Sequence, residues 1–466
     1  MVAQKNLCVL ILAAGKGTRM KSALPKPMHP VCGRPMLAYS LRAAQALHPD
    51  TICVIVGHEA ALVQEQVQAH LADWGITAPV VFAEQKELNG SAGAVRAAGD
   101  LLGQFREVIV LNGDAPLISS AALQKMLAQF RASYAGASVM AMQVENPTGY
   151  GRIVRGPDGG FAKIVEETDT DETTRPIQEV NGGMYVFEGQ ALVRALALLT
   201  PQGPKKEFYL TDTLTFIKGF GMPALVYVLQ DNKQALGVNS RAELALAEQF
   251  MRKNITDNLL AAGVRLVCPE QTYVEDTVQI GADTTIFPGC YLEGNTTIGK
   301  NCRIEGNVVI RNCKIGDNVL IRMGSYMEES TVAEQCEVGP YARLRPGAEL
   351  KTKAKVGNFC EVKNSVIGEG SKVNHLTYIG DTDMGAGVNI GAGTITCNYD
   401  GQKKHRTIIG DHCFVGSNVN FVAPVEVKPY SKIGAGSTIT KEVPEGSLAI
   451  ARSRQVVLEN KGIKHD

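Results

Sequence analysis

Two apolar rhythms divide the chain. In the first half, short aliphatic runs at residues 7–12, 52–56, 80–82 and 108–111 read as parallel strands buried on both faces. Helical spacing fills the intervals, as at 36–46 and 61–72. This alternation predicts an α/β Rossmann-like sheet over residues 1–240. Segments 138–145, 151–155, 161–165 and 183–187 are strand-rich and predict an antiparallel lid. From 241 to 263, Leu244, Ala247, Phe250, Met251, Ile255 and Leu259 recur at helical spacing before Gly263, a linker helix with its stop.

From 264 to 466 the period becomes six. An aliphatic residue returns at Ile280, Ile286, Leu292, Ile298, Ile304 and Ile310. It returns again at Ile315, Ile321, Val332, Val338, Leu344, Leu350, Val356 and Val362. Val373 and Ile379 follow, then Ile409, Val415, Phe421, Val427, Ile433 and Ile439. A helix has no such period, and an alternating strand would bury more than one position in six. A coil of three short strands, each giving one side chain to a central stack, fits. Two interruptions are expected, at 323–331 and, larger and polar, at 394–407; a polar projection from a regular coil predicts a functional or intersubunit loop. The tail after Leu448 carries Arg452, Arg454, Lys461 and Lys464.

Composition excludes some functions. The 47 basic residues equal the 47 acidic ones, so no global field draws in nucleic acid or an anionic membrane. The longest apolar run, 7–14, is too short to span a bilayer. No secretion leader is read at the start, and the 11 cysteines form no C-x-x-C pair. Reduced thiols and a cytoplasmic location are expected.

Two places carry chemistry. The first strand runs into Ala13-Ala14-Gly15-Lys16-Gly17-Thr18-Arg19-Met20, a glycine-rich loop whose backbone amides suit phosphate oxygens. It is neither a Walker loop nor G-x-G-x-x-G. Arg19 and Lys26 add cations. Asp114 ends the strand at 108–111, where a carboxylate can hold Mg²⁺. Gly151, Glu166 and Asn181 lie in segments polar enough to meet a sugar. In the coil, His375 is of the residue type suited to general-base work, and Arg345, Lys363, Tyr378 and Asn389 supply cations and polar groups.

The motif from Leu12 to Met20, with Leu24-Pro25-Lys26-Pro27 and Gly113-Asp114, resembles the sugar-nucleotide pyrophosphorylases. Joined to Asn374-His375-Leu376-Thr377-Tyr378 and the run from Asn389 to Gly401, the chain resembles over essentially its whole length one family. These are the bacterial bifunctional enzymes that acetylate glucosamine 1-phosphate and uridylylate N-acetylglucosamine 1-phosphate. The resemblance implies a Rossmann-like nucleotidyltransferase domain (1–240), a linker helix (241–263) and a left-handed parallel β-helix (264–466) in a homotrimer. It implies that Leu12, Ala13, Ala14, Gly15, Lys26, Gln85, Gly90 and Ser91 hold UTP, and that Gly151, Glu166 and Asn181 hold the amino sugar. Asp114 and Asn239 would bind Mg²⁺, and Arg19 and Lys26 would face the transferred phosphates. In the coil, His375 would be the base, oriented by Glu361. Arg345, Lys363, Tyr378 and Asn389 would bind the sugar phosphate; Ala392, Asn398, Tyr399, Ser417, Ala435 and Arg452 would bind acetyl-CoA. The product would feed cell-wall and envelope polysaccharide synthesis. Two departures stand out. Asn89-Gly90-Ser91-Ala92-Gly93-Ala94 replaces a usual Leu-Gly-Thr-Gly-His/Glu-Ala, and Asn112 replaces a frequent Tyr. Two alternatives stay open: a pyrophosphorylase whose coil only assembles subunits and binds an effector, and a non-catalytic regulatory subunit.

Overall fold

The computed structural model describes residues 5–202, 206–459 and 461–462; Lys464 lies outside them. The chain divides into two compact units, residues 1–251 and 252–466. The helix Arg241–Ala261 crosses the division.

The first unit is built on a nine-stranded mixed sheet. Its elements are β1 (Lys5–Leu12), α1 (Met36–Gln45), β2 (Thr51–Val56), α2 (Ala60–His70), β3 (Val80–Glu84), α3 (Ser91–Arg96) and β4 (Phe105–Asn112). There follow α4 (Ser120–Ala132), β5 (Ala137–Gln143), β6 (Arg152–Arg155), β7 (Phe161–Val165), β8 (Glu179–Glu188), α5 (Gly189–Leu198), α6 (Asp212–Gly219) and β9 (Ala224–Val228). The main path runs β9-β5-β8-β4-β1-β2-β3. β1, β2, β3 and β4 are parallel, and every side chain of β2 is buried, as continuous aliphatic runs demand. The four-strand lid is a correction. β5 and β8 belong to the main sheet, with β8 antiparallel to both β4 and β5. The hairpin β6–β7 lies off the path and joins it where Arg152 pairs with Val180. β5 and β8 bury long runs on both faces, so they sit inside a sheet and not over one.

The second unit is a parallel β-helix. Three sheets of 11, 10 and 9 short strands form its faces, each strand pairing in parallel with one a full turn later. The hexad residues are the inward ones: Ile286, Leu292, Ile304, Ile310, Leu344 and Val356 are wholly buried. The expected interruption at 323–331 is not one. Tyr326–Glu328 continues the second face, with Met327 stacked between Ile310 and Leu344. One hexad of that coil is a residue short, which breaks the beat but not the stack. Ile367, Met384, Ile390 and Thr396 likewise extend the stack. The larger loop is also shorter than expected, because Ile395–Cys397 and Thr407–Ile409 are strands. Residues 398–406 project, closed by a bridge between Tyr399 and Lys404.

All 11 cysteines are free. Cys290, Cys302, Cys313, Cys336 and Cys413 sit buried at the turns and donate to backbone carbonyls, as Thr284 and Ser371 do elsewhere. Burial pushes the thiols of Cys290, Cys313 and Cys336 up to about 11. Among the described residues no helix is long and apolar enough to cross a membrane.

Candidate active sites

In the first unit, β1 and β4 end side by side, with Leu12 in register with Asn112. The loops beyond them open a cleft of about 220 Å³. Leu12, Ala13, Ala14, Gly15, Lys26, Gln85, Gly90, Ser91 and Asp114 all line it. The glycine-rich loop does two things here. Gly17 adopts a left-handed φ of 59°, and a Cβ there would lie 2.6 Å from the Lys26 Cβ, so glycine lets the Lys26 side chain pack against the turn. The N–H of Ala13 is spent on Ile55, which fixes the loop to the sheet.

Lys26 is the centre of the cleft. Its Nζ donates to the Asn239 Oδ1 at 2.6 Å and pairs with the Asp114 carboxylate. The Asp114 carbonyl accepts from the Val238 N–H, and the Glu243 carboxylate accepts from the Asn239 N–H, so both oxygen donors are held from behind. Two oxygens already converge on one cation. A hard divalent ion that takes the rest of its shell from phosphate and water fits such a pair. Among the described residues no cluster of three His, Cys, Asp or Glu could hold a metal alone.

Gly151, Glu166 and Asn181 gather at a neighbouring spot. The Gly151 carbonyl accepts from the Asn181 N–H at 2.8 Å, and a Cβ on Gly151 would stand 3.3 Å from the Glu166 carboxylate. The Thr211 hydroxyl donates to Glu166 at 2.8 Å. Burial holds the Glu166 carboxyl above its usual range, against that hydrogen bond. None of these three residues lines the strand-end cleft itself, and Arg19 is exposed on the turn Thr18–Met20 without lining it.

In the coil, the assigned residues other than Asn389 form two groups at the two edges of the second face. At the corner between the first and second faces a ladder rises turn by turn. The Leu376 N–H donates to the Asn358 carbonyl, Gly393 to His375, Asn418 to Ala392 and Gly436 to Ser417. The Arg452 guanidinium caps the column on the Ala435 carbonyl. His375, Ala392, Ser417, Ala435 and Arg452 thus share one edge. At the opposite corner lie Arg345, Lys363 and the projecting loop. Asp381 accepts from the side chains of Asn364 and Asn398, and Asn398 reaches toward the Tyr378 hydroxyl at 3.5 Å. The Lys404 ammonium beside Lys363 holds the Lys363 pKa below the usual lysine range; loss of solvent and Arg345 push the same way. Tyr399 is exposed on this loop, while Asn389 stands on the first face in register with Lys372 and Phe414.

The orientation of His375 corrects an expectation. Glu361 is engaged by Arg345 at 3.0 Å and Arg343 at 3.6 Å. The His375 Nδ1 meets the Asn358 Oδ1 at 2.7 Å instead. An amide oxygen only accepts, so Nδ1 carries the hydrogen, and in the neutral ring the lone pair then lies on Nε2. Asn358 escaped the sequence reading because its contact depends on register, Asn358 opposite His375 in adjoining coils.

Comparison with known proteins agrees with both halves. Residues 8–232 match the nucleotidyl transferase family model, residues 274–350 the GMPPB C-terminal domain, and residues 406–441 six repeats of the bacterial transferase hexapeptide. Hexapeptide repeats of this kind place the coil in the left-handed class. A protein named bifunctional protein GlmU from Geotalea uraniireducens is 45% identical over 98% of this chain and 99% of its own. Proteins of the same name from Pelobacter propionicus and Clostridioides difficile are 44% and 42% identical, each over 97% of both chains.

Proposed function

This chain belongs to the bifunctional GlmU family and is an enzyme with a nucleotidyltransferase half and a hexapeptide acyltransferase half; on that footing we propose the following substrates and residue roles. The coil, residues 264–466, moves the acetyl group of acetyl-CoA to the amine of glucosamine 1-phosphate. The first domain, residues 1–240, then joins N-acetylglucosamine 1-phosphate to the uridylyl group of UTP and releases pyrophosphate. The carrying observation is the pairing of a strand-end cleft centred on Lys26, Asp114 and Asn239 with a coil edge centred on His375.

In the cleft the sugar phosphate attacks the α-phosphorus in line, and pyrophosphate leaves. The protein has to position and neutralise, which Lys26 does from its fixed place and Arg19 from the exposed turn. Gln85, Gly90 and Ser91 hold the uridine side; Gly151, Glu166 and Asn181 hold the amino sugar. Asp114 and Asn239 would hold Mg²⁺, which when bound offsets phosphate charge.

At the coil edge the Nε2 of His375 takes a proton from the substrate ammonium. The freed amine attacks the thioester carbonyl, the Ser417 hydroxyl steadies the oxyanion, and the C–S bond breaks as the amine's second proton passes to the departing sulfur, releasing the thiol. Arg345 and Lys363 bind the phosphate with Tyr378 and Asn389; Ala392, Asn398, Tyr399, Ala435 and Arg452 bind the thioester cofactor. His375 and the phosphate-binding cations lie at opposite edges of one face, so a neighbouring copy must complete each site, and we assign a homotrimer. Exposed Tyr341, Phe359 and Leu376, all at positive φ beside His375, suit such a contact. Buried, protonated cysteines suit a reducing cytoplasm and leave no acyl-enzyme route through the coil turns.

Given glucosamine 1-phosphate, acetyl-CoA, UTP and Mg²⁺, the chain should release thiol and then pyrophosphate. Withholding acetyl-CoA should stop both. Pyrophosphate formed from glucosamine 1-phosphate without acetyl-CoA would refute the order.

A further inference from the structure

Arg152 is 1% exposed, and the chemistry proposed for the first unit does not use it. A guanidinium stays charged, so burial this complete has to be matched by partners. Arg152 has three. Its Nη1 meets the Glu167 carboxylate at 2.8 Å and donates to the Tyr150 carbonyl, and its Nε donates to the Arg175 carbonyl at 3.3 Å. Glu167 uses one oxygen twice: the Oε2 that faces the guanidinium also accepts from the Gly149 N–H at 2.9 Å. The Gly149 N–H first, and then Arg152, hold the Glu167 carboxyl below its usual range.

The backbone of Arg152 stands where three strands meet. It pairs with Val165 of β7 and with Val180 of β8, both antiparallel. Gly151 precedes Arg152, Glu166 follows Val165 and Asn181 follows Val180, so each lies one residue from the junction. Side chains alternate along a strand, so the guanidinium braces the junction from behind that trio. Glu167, one residue past Glu166, returns to meet it.

We propose that Arg152, with Glu167, is a positioning residue for the amino sugar: the buried ion pair sets the spacing of Gly151, Glu166 and Asn181 without touching substrate. This rests on the reading that those three hold N-acetylglucosamine 1-phosphate. Without the Glu167 oxygen, the Gly149 N–H loses its acceptor and the loop at 149–151 is no longer tied to the turn after Glu166. The sugar then has to order that loop on binding, which weakens its affinity and leaves the strand-end cleft alone.

The test is steady-state pyrophosphate release by the intact chain, with KM measured for each substrate. Glu167→Ala should raise the KM for N-acetylglucosamine 1-phosphate about tenfold, with kcat and the KM for UTP little changed. Arg152→Lys, whose ammonium cannot reproduce the planar fork, should do the same. If Arg152→Lys does not fold, Glu167→Ala still carries the test, since that side chain is 38% exposed. Glu167→Gln places an amide oxygen where Oε2 stands and should keep the wild-type KM, even with a lower thermal midpoint. An unchanged sugar-phosphate KM in Glu167→Ala overturns the brace. So does a fall in kcat with both KM values unchanged, or Glu167→Gln matching Glu167→Ala, since either marks a merely structural pair. Glu166→Gln separates the two readings. If it raises the sugar-phosphate KM and Glu167→Ala does not, the brace alone fails; if neither raises it, the reading of the sugar site fails and the brace with it.

Discussion

Glu166 and Lys363 are site residues whose surroundings oppose their usual charge. Burial raises the Glu166 carboxyl pKa, so the folded state binds a proton the unfolded chain has released. The stability this contributes is fully present below the ordinary value of 4.5 and is lost as pH rises through the raised folded value. Glu166→Gln still accepts from Thr211 but does not titrate. Its thermal midpoint should therefore lose that decline as pH rises above 4.5, while the KM for N-acetylglucosamine 1-phosphate rises. Lys363 is depressed first by Lys404, a repulsion that a bound phosphate would relieve. Inorganic phosphate should raise the thermal midpoint of the chain, and Lys363→Ala should abolish most of that rise. Lys26 and Asp114 stood out in the sequence because each follows a recognisable loop or strand. Asn358 did not, because its contact with His375 depends on which side chains face each other across adjoining coils.

The six-residue beat made the coil legible as an element, since one buried aliphatic per short strand is a demand of packing. Its failures were local. A methionine where the beat had been aliphatic, followed by a step of only five residues to Val332, hid Met327, and a threonine at the stack position hid Thr396. In the first unit the parallel strands were legible from their aliphatic runs. The placement of β5 and β8 was not, because local pattern says that a strand is buried but not which neighbour buries it. The stack's energetics can be tested at Leu344, wholly buried between Met327 and Val362. Leu344→Ala should cost about 3 kcal/mol, read as a lower urea midpoint for loss of acetyl transfer. Leu344→Met should cost far less, because it nearly conserves volume.

At the scale of the molecule, the account rests on two chemically independent centres, one in each compact unit. Two single substitutions test this in crossed assays of the intact chain, following thiol release from acetyl-CoA and Mg²⁺-dependent pyrophosphate release. His375→Ala should lose thiol release by at least about 100-fold and keep pyrophosphate release from UTP and N-acetylglucosamine 1-phosphate. Asp114→Ala should do the reverse. Loss of both activities in either folded variant, or survival of both in His375→Ala, would contradict the account.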